Sequence, residues 1–205
     1  SYADAVALVE DIEAGGATAH VSTEVEVDLE RETQNVIADL SKKDLKKTTH
    51  PDQTAGVGAH LDSVVEGPGT NDNGSGSSTM LETAEQMADL KLTKNLERPV
   101  RFAFWGAEES GLLGSEHYVA SLSSDELSGI YANLNYDMLG SPNYVRFVYD
   151  GDGSSTEPAG PPGSGAIEKV FTDFFDSKGL ASEPTEFSGR SDYGPFIADG
   201  IPASG

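Results

Sequence analysis

The 205-residue sequence contains no cysteine, no long apolar run and few basic residues. Without cysteine there can be no disulfide, thiolate catalysis or cysteine-ligated zinc, so any metal must be held by His, Asp and Glu. No apolar run approaches the roughly 20 residues that a membrane span requires. With 35 acidic against 13 basic residues, the net charge is -22. This charge makes nucleic acid and anionic membranes poor partners; it favours solubility, and adaptation to high salt is a second interpretation.

Strand and helix patterns alternate along most of the chain. Short apolar runs predict strands, and apolar residues at 3.6 spacing predict helices. The predicted strands are residues 54–60, 100–105, 130–136 and 145–149. The predicted helices are residues 77–90, 111–122 and 166–178. This order indicates an α/β fold, a three-layer sandwich with a mostly parallel central sheet flanked by helices.

The beginning of the chain does not fit this alternation. A helix is predicted over residues 3–12, followed by a strand-like alternation at Val21, Val25 and Val27. We therefore expect residues 1–30 to be separate from a main domain formed by residues 31–205. The last five residues look like the start of a further strand, so we expect this domain to be incomplete at its C-terminal end.

Acidic and histidine side chains follow three of the predicted strands at their carboxyl ends. They are His60, Asp62, Asp72, Glu108, Glu109 and Asp137. Ligands of open parallel sheets bind in the crevice outside the carboxyl ends of the strands, so we expect these side chains to converge there. Taken singly, each has an ordinary explanation: a buried hydrogen-bonded pair, a turn, a helix start or a strand-end cap. Together they predict a site.

One imidazole among several carboxylates suits zinc or manganese. Carboxylates packed together repel one another unless a cation is present, and a bridging carboxylate can hold two ions. Such ions activate a water molecule, and a carboxylate free of metal can take its proton. The adjacent residues Glu108 and Glu109 could provide one base and one ligand.

Four segments carry a family resemblance. They are residues 58–64 (GAHLDSV), 71–76 (NDNGSG), 104–111 (FWGAEESG) and 135–140 (NYDMLG). In order and spacing they resemble the co-catalytic zinc aminopeptidases of clan MH, the secreted bacterial and fungal enzymes related to leucine aminopeptidase and aminopeptidase Y. The resemblance implies two zinc ions. His60 and Asp137 would ligate the first, Glu109 the second, and Asp72 would bridge both.

The same resemblance implies roles for residues that do not bind metal. Glu108 would be the general base, and Asp62 would orient His60 through its other ring nitrogen. Arg190 would donate hydrogen bonds to carbonyl or carboxylate groups of the substrate. Gly74 and Gly76 would let the loop after the first strand turn tightly while Asp72 points inward.

The sequence also departs from the family pattern. The second zinc of the family uses a further His, preceded by a Tyr, in a segment after the point where this sequence ends. Tyr193 stands where the family usually has a His after Ser-Asp. Residues 1–30 resemble the end of a protease-associated insertion rather than the two helices that open the catalytic domain. We therefore expect an incomplete second metal site, and this piece could be inactive by itself.

The function expected from the resemblance is metal-dependent hydrolysis of the amino-terminal peptide bond of peptides, by a secreted monomeric enzyme. Two alternatives stay open. The chain could be another enzyme on the same scaffold, such as a carboxypeptidase or a glutaminyl cyclase. It could also be an inactive metal-binding or interaction module.

Overall fold

The computed structural model describes residues 2–16, 20, 22–25, 30–39, 45, 48–94 and 96–205. They fall into two units, Ser1–Glu32 and Thr33–Gly205, which are described separately. In the first unit, helix α1 spans Tyr2–Glu13 and covers the predicted helix. Val25 lies in no strand, and the other two valines of the predicted alternation, Val21 and Val27, lie outside the described residues.

The second unit is built on a five-stranded sheet. The strands of the unit, in chain order, are β1 (Val36–Asp39), β2 (Thr54–His60), β3 (Val100–Trp105), β4 (Ile130–Asn135), β5 (Phe147–Tyr149), β6 (Glu183–Thr185) and β7 (Ala203–Ser204). The central sheet has the order β1-β3-β2-β4-β7. Only β1, at one edge, runs antiparallel to its neighbour; the other described pairings in this sheet are parallel. The prediction of a mostly parallel sheet is confirmed.

Helices cover both faces of this sheet. They are α2 (Gly74–Asp89), α3 (Leu113–Ser121), α4 (Ser124–Ser128), α5 (Ser164–Ser177) and α6 (Gly194–Ala198), with a short 3₁₀ turn at Leu92–Lys94. Successive strand residues point to opposite faces, so Phe102 packs with Met80 of α2, whereas Ala103 packs with Val119 of α3 and Phe196 of α6. The predicted α/β sandwich is therefore confirmed. In the described part of the chain, no helix has the length and apolarity needed to cross a membrane.

The predicted strand at 145–149 forms only in its last three residues. It pairs in parallel with β6 in a separate two-stranded sheet rather than extending the central one. Tyr149 of β5 stacks on Phe187, with ring centroids 5.0 Å apart, and packs on the buried ring of Tyr193. This aromatic cluster holds the small sheet beside the carboxyl ends of the central strands.

The glycines after β2 allow close packing rather than an unusual turn. Gly74 and Gly76 lie in the first turn of α2, and neither has a positive φ. A Cβ on Gly76 would lie 2.5 Å from the carbonyl oxygen of Tyr136 and closer still to Oδ1 of Asn73. The expectation of glycines within a tight loop is thus corrected: the first turn of the helix must pass close to the end of β4.

Replacing Gly76 with alanine is expected to lower the free energy of unfolding by about 2 kcal/mol or more, because backbone atoms must shift to admit the methyl group. Urea unfolding measures this change. Gly67→Ala is the matched control, since its Cβ would meet nothing closer than Val64 Cγ2 at 3.8 Å. The control should change stability by less than about 0.5 kcal/mol. Equal effects of the two substitutions would contradict the assigned contact.

Candidate metal centre

The structure brings three of the predicted ligands together around the ring of His60. His60 is the last residue of β2, and it is 1% exposed. Its Nε2 lies 3.1 Å from Oδ1 of Asp72 and 3.2 Å from Oδ1 of Asp137. One ligand atom from each of the three residues lies within 4.8 Å of the other two. Asp72 comes from the loop before α2 and Asp137 from the loop after β4, so three separate segments meet at one point.

Two asparagines fix the relative position of these loops. Asn73 donates from Nδ2 to the Tyr136 carbonyl oxygen at 2.9 Å, and its Oδ1 accepts from the Met138 N–H at 3.3 Å. Asn71 accepts the Gly140 N–H at 2.9 Å. Asn73 also caps α2, since its Oδ1 accepts the N–H of the third helical residue. The hydrogen bonds hold the two aspartates side by side.

Asp62 supports the site in two ways. Its backbone carbonyl lies 3.0 Å from Nδ1 of His60, whereas its carboxylate lies 3.6 Å from that nitrogen. An N–H on Nδ1 therefore donates to this carbonyl, so Nε2 is the nitrogen that faces the other carboxylates; it donates to Asp137 when protonated and is the nitrogen available to a cation when it is not. The Asp62 carboxylate instead accepts the backbone N–H of Glu108 at 3.0 Å and of Glu109 at 3.1 Å. It thus fixes the turn that carries both glutamates.

The two glutamates lie in different surroundings. Glu108 is 9% exposed, and its Oε2 lies 4.0 Å from Nε2 of His60. Oε1 of Glu109 is buried and has no hydrogen-bond partner among the described residues. The residue before this pair, Ala107, has a φ of 58°, a left-handed conformation that is uncommon outside glycine. The chain therefore turns sharply after β3, and both glutamates line one cavity of about 830 Å³ with Asp72 and Asp137.

The cluster holds its negative charge poorly when no cation is present. Burial raises the pKa of Glu108 to about 7. The pKa of Asp72 is raised by burial and by the charge of Asp137, and that of Glu109 by burial and by Asp72. Burial alone would lower the pKa of His60, but its hydrogen bond to Asp137 and the surrounding carboxylates raise it to about 9.

These residues fit a divalent cation. One imidazole nitrogen and oxygens of several carboxylates form the donor set of zinc sites. The buried, unpartnered oxygen of Glu109 is a polar atom that still needs a partner. A bound cation would replace the protons that these side chains hold because of their raised pKa values.

Comparison with known proteins agrees with this geometry. Residues 35–205 match Peptidase family M28. The chain belongs to this family. It is 51% identical over 175 residues to an aminopeptidase of Pseudomonas aeruginosa strain UCBPP-PA14, covering 85% of this chain and 31% of that protein. It is 45% identical over 205 residues to a probable leucine aminopeptidase 2 of Aspergillus fumigatus, covering 100% of this chain and 39% of that protein.

Among solved structures, a zinc aminopeptidase from Bacillus subtilis superposes with a TM-score of 0.67 at 35% identity, over 84% of this chain and 39% of that one. The family resemblance read from the four motifs is therefore confirmed, as is the fold. The chain spans only about a third to two fifths of the length of these relatives.

Two further hydrogen bonds at the site of this M28 protein were not predicted from the sequence. The Ser191 hydroxyl donates to Oδ2 of Asp137 at 2.8 Å, and Nδ2 of Asn135 donates to that hydroxyl oxygen at 3.0 Å. Asp137 is thereby held with its other oxygen toward His60. Ser191 directly follows Arg190 in the sequence, but the motifs did not single it out. Ser191 and Asp137 are 54 positions apart in the sequence, and no spacing pattern predicts their contact.

A second acidic group lies outside the cleft. Oxygens of Asp150, Asp152 and Glu168 lie within 4.8 Å of one another. Asp150, however, already accepts hydrogen bonds from the backbone N–H groups of residues 154–156. Although burial acts in the opposite direction, these bonds lower its pKa. Its role is to organise the loop before α5.

The metal-free protein is expected to lose stability as pH rises from about 5 to 9. Glu108 has a folded pKa of about 7 and His60 of about 9, both above their unfolded values of 4.5 and 6.5. Protons are therefore bound more tightly by the folded state, and the stability they add is lost as pH rises through the folded pKa values. Zinc should restore stability most strongly at pH 7 and above, where it competes with fewer protons.

Thermal melting at pH 5, 7 and 9, in chelator and in zinc, measures both effects. Asp72→Asn should flatten the profile in chelator, because it removes one charge of the cluster. Asp199→Asn, at an exposed position, is the control and should follow the parent protein. A metal-free protein that is equally stable at pH 5 and pH 9 would contradict the expected linkage.

Proposed function

We propose that this chain carries the catalytic centre of a metal-dependent exopeptidase that removes residues from the free amino end of peptides. The observation that carries the proposal is the meeting of His60, Asp72 and Asp137 at the strand ends, next to the buried carboxyl group of Glu108. Membership of Peptidase family M28, and relatives named as aminopeptidases, support it.

The proposed metal is zinc, with two ions in the complete site. His60 and Asp137 would hold one ion, Glu109 the other, and Asp72 both, as the motifs imply. The solved Bacillus subtilis relative is described as a zinc aminopeptidase, which supports the choice of metal. When bound, such ions lower the pKa of a water molecule and polarise a peptide carbonyl group.

Glu108 is the proposed general base. Its side chain is close to the metal ligands, but the motifs leave it free of metal. A base works best when its pKa lies near the working pH, and in the metal-free protein burial raises the pKa of Glu108 to about 7. Its carboxylate would take the proton of the attacking water and pass it to the departing amine. The Asp62 carboxylate assists as a positioning group, since it holds the backbone of Glu108.

Arg190 is the proposed substrate-binding residue. It lies on the wall of the cleft, is exposed, and forms no ion pair within the described ranges. Its guanidinium group is therefore available to donate hydrogen bonds to carbonyl or carboxylate oxygens of a peptide. The wall also contains Met138, Leu139, Phe171 and Phe175, which supports a broad preference for apolar amino-terminal residues.

We also propose that the protein is secreted and monomeric. The support for secretion is the resemblance of the four motifs to secreted bacterial and fungal enzymes. Size-exclusion chromatography with light scattering tests the monomer, and detection in the culture medium of the source organism tests secretion.

Release of nitroaniline from leucine p-nitroanilide by the zinc-loaded chain, abolished by chelator and restored by zinc, tests the reaction. Acetyl-leucine p-nitroanilide is the matched control, because its blocked amine should prevent turnover. Cleavage at the carboxyl end would instead indicate a carboxypeptidase, and cyclisation of an amino-terminal glutamine a glutaminyl cyclase. Binding of at most one ion per chain with no turnover of any substrate would indicate a metal-binding module.

A further inference from the structure

A second arginine lines the same cavity as the metal centre. Arg146, which directly precedes β5, is half-buried in the cavity wall. Its guanidinium lies 4.9 Å from the ring centroid of Tyr144 and donates to the hydroxyl of that residue at 3.3 Å. The other terminal nitrogen donates to the Ala181 carbonyl oxygen at 3.3 Å. These contacts orient the group without neutralising its charge.

The absence of a carboxylate partner distinguishes Arg146 from two other arginines. Arg98 pairs with Glu97 at 3.5 Å, and Arg101 forms a bidentate pair with Asp39. Within the described ranges, Arg146 pairs with no carboxylate, in a chain that has 35 acidic residues. A guanidinium group strongly favours a bidentate carboxylate partner.

The lining of the cavity therefore carries charges of both signs. The acidic groups of the metal centre lie at the strand ends, and Arg146 lies beside β5, in the same lining as Arg190. A net charge of -22 repels anionic ligands in general, so a local cation is what admits a negative group into this cleft. About 830 Å³ is room for a peptide of two or three residues.

We propose that Arg146 binds a carboxylate of the substrate, so that the enzyme prefers short peptides whose free carboxyl end reaches this residue. The inference rests on the proposed function, because the amino end of the same peptide must lie at the metal centre. An acidic side chain beyond the first residue offers the same chemistry and is the second source of the carboxylate.

The test uses equilibrium binding, so that it does not depend on turnover. The probes are leucyl-alanine with its scissile amide replaced by CH₂–NH, as the free acid and as the carboxyl-terminal amide, and the corresponding leucyl-aspartate amide. Isothermal titration calorimetry of the zinc-loaded chain gives each Kd. Arg146→Gln is the test variant. Arg98→Gln is the matched control, since Arg98 also stacks on a tyrosine ring, at 3.9 Å, but does not line this cavity.

The parent chain and the Arg98→Gln control should bind the free acid about three- to tenfold more tightly than the amide, and added salt should reduce the gap. In Arg146→Gln the Kd values of the free acid and the amide should become equal. Tight binding of the leucyl-aspartate amide, lost in the same variant, would assign the second source of the carboxylate. Equal binding of acid and amide by the parent chain, or an unchanged gap in Arg146→Gln, would overturn the inference and leave the proposed function standing. Failure of all three probes to bind would overturn both.

Discussion

Glu108→Gln is expected to lower kcat for hydrolysis of a free-amine substrate by about three orders of magnitude, the middle of the range that a general base contributes. Glutamine keeps the size of the side chain but cannot accept the proton of the attacking water. The buried carboxyl group lies 4.0 Å from Nε2 of His60, within the cluster but outside the group of three closest ligands. Because the motifs leave Glu108 free of metal, zinc affinity should change little, and the loss should appear in kcat rather than in metal content.

Steady-state kinetics with leucine p-nitroanilide and metal analysis of the same preparation separate these two quantities. Glu116→Gln is the control, because this glutamate lies exposed on α3, outside the cavity lining. A Glu108→Gln protein that retains most of its activity would place the base elsewhere. A variant that loses its zinc together with its activity would make Glu108 a ligand.

The sequence indicates best those parts of the fold that are buried on both faces. The observed bounds of β2 and β3 coincide with the predicted ones, because a central parallel strand is a near-continuous run of apolar and small residues. Helix α2 begins three residues earlier than predicted, since its first turn consists of Gly74, Ser75 and Gly76 and has no apolar periodicity. Helices α4 and α6 have only five residues each, too few to show a repeat.

The convergence of the site residues follows from the sheet topology, whereas the hydrogen bonds that hold those residues in place do not. Side chains at the ends of neighbouring parallel strands must be near one another, so His60 and Asp137 could be placed from the strand pattern alone. The hydrogen bond from Ser191 to Asp137 joins residues 54 positions apart, and that from Asn73 to Tyr136 joins residues 63 apart. Such pairings depend on how the loops close over the sheet, which local pattern does not encode.

His60→Ala is expected to lower zinc affinity by more than the ten- to hundredfold typical of groups that only support a ligand. It removes the one nitrogen ligand of the gathered cluster, and the remaining aspartates must then hold the ion alone. Competition with a chromophoric chelator measures the change. His117→Ala is the control, because His117 is exposed on α3, outside both the cavity lining and the gathered acidic groups. Unchanged affinity in His60→Ala would exclude His60 as a ligand.

The same substitution has a second expected consequence in the metal-free protein. With a folded pKa of about 9, His60 is protonated at neutral pH and stands between Asp72 and Asp137. Its removal leaves these carboxylates to repel one another, so His60→Ala should melt at a lower temperature than the parent chain in chelator near pH 6. That deficit should fade as pH rises through 9, where the parent imidazole is neutral as well. A deficit that persists unchanged at pH 10 would reflect lost packing rather than lost charge. A deficit that fades with rising pH is the result expected if the positive charge of His60 holds together the carboxylates gathered at the strand ends.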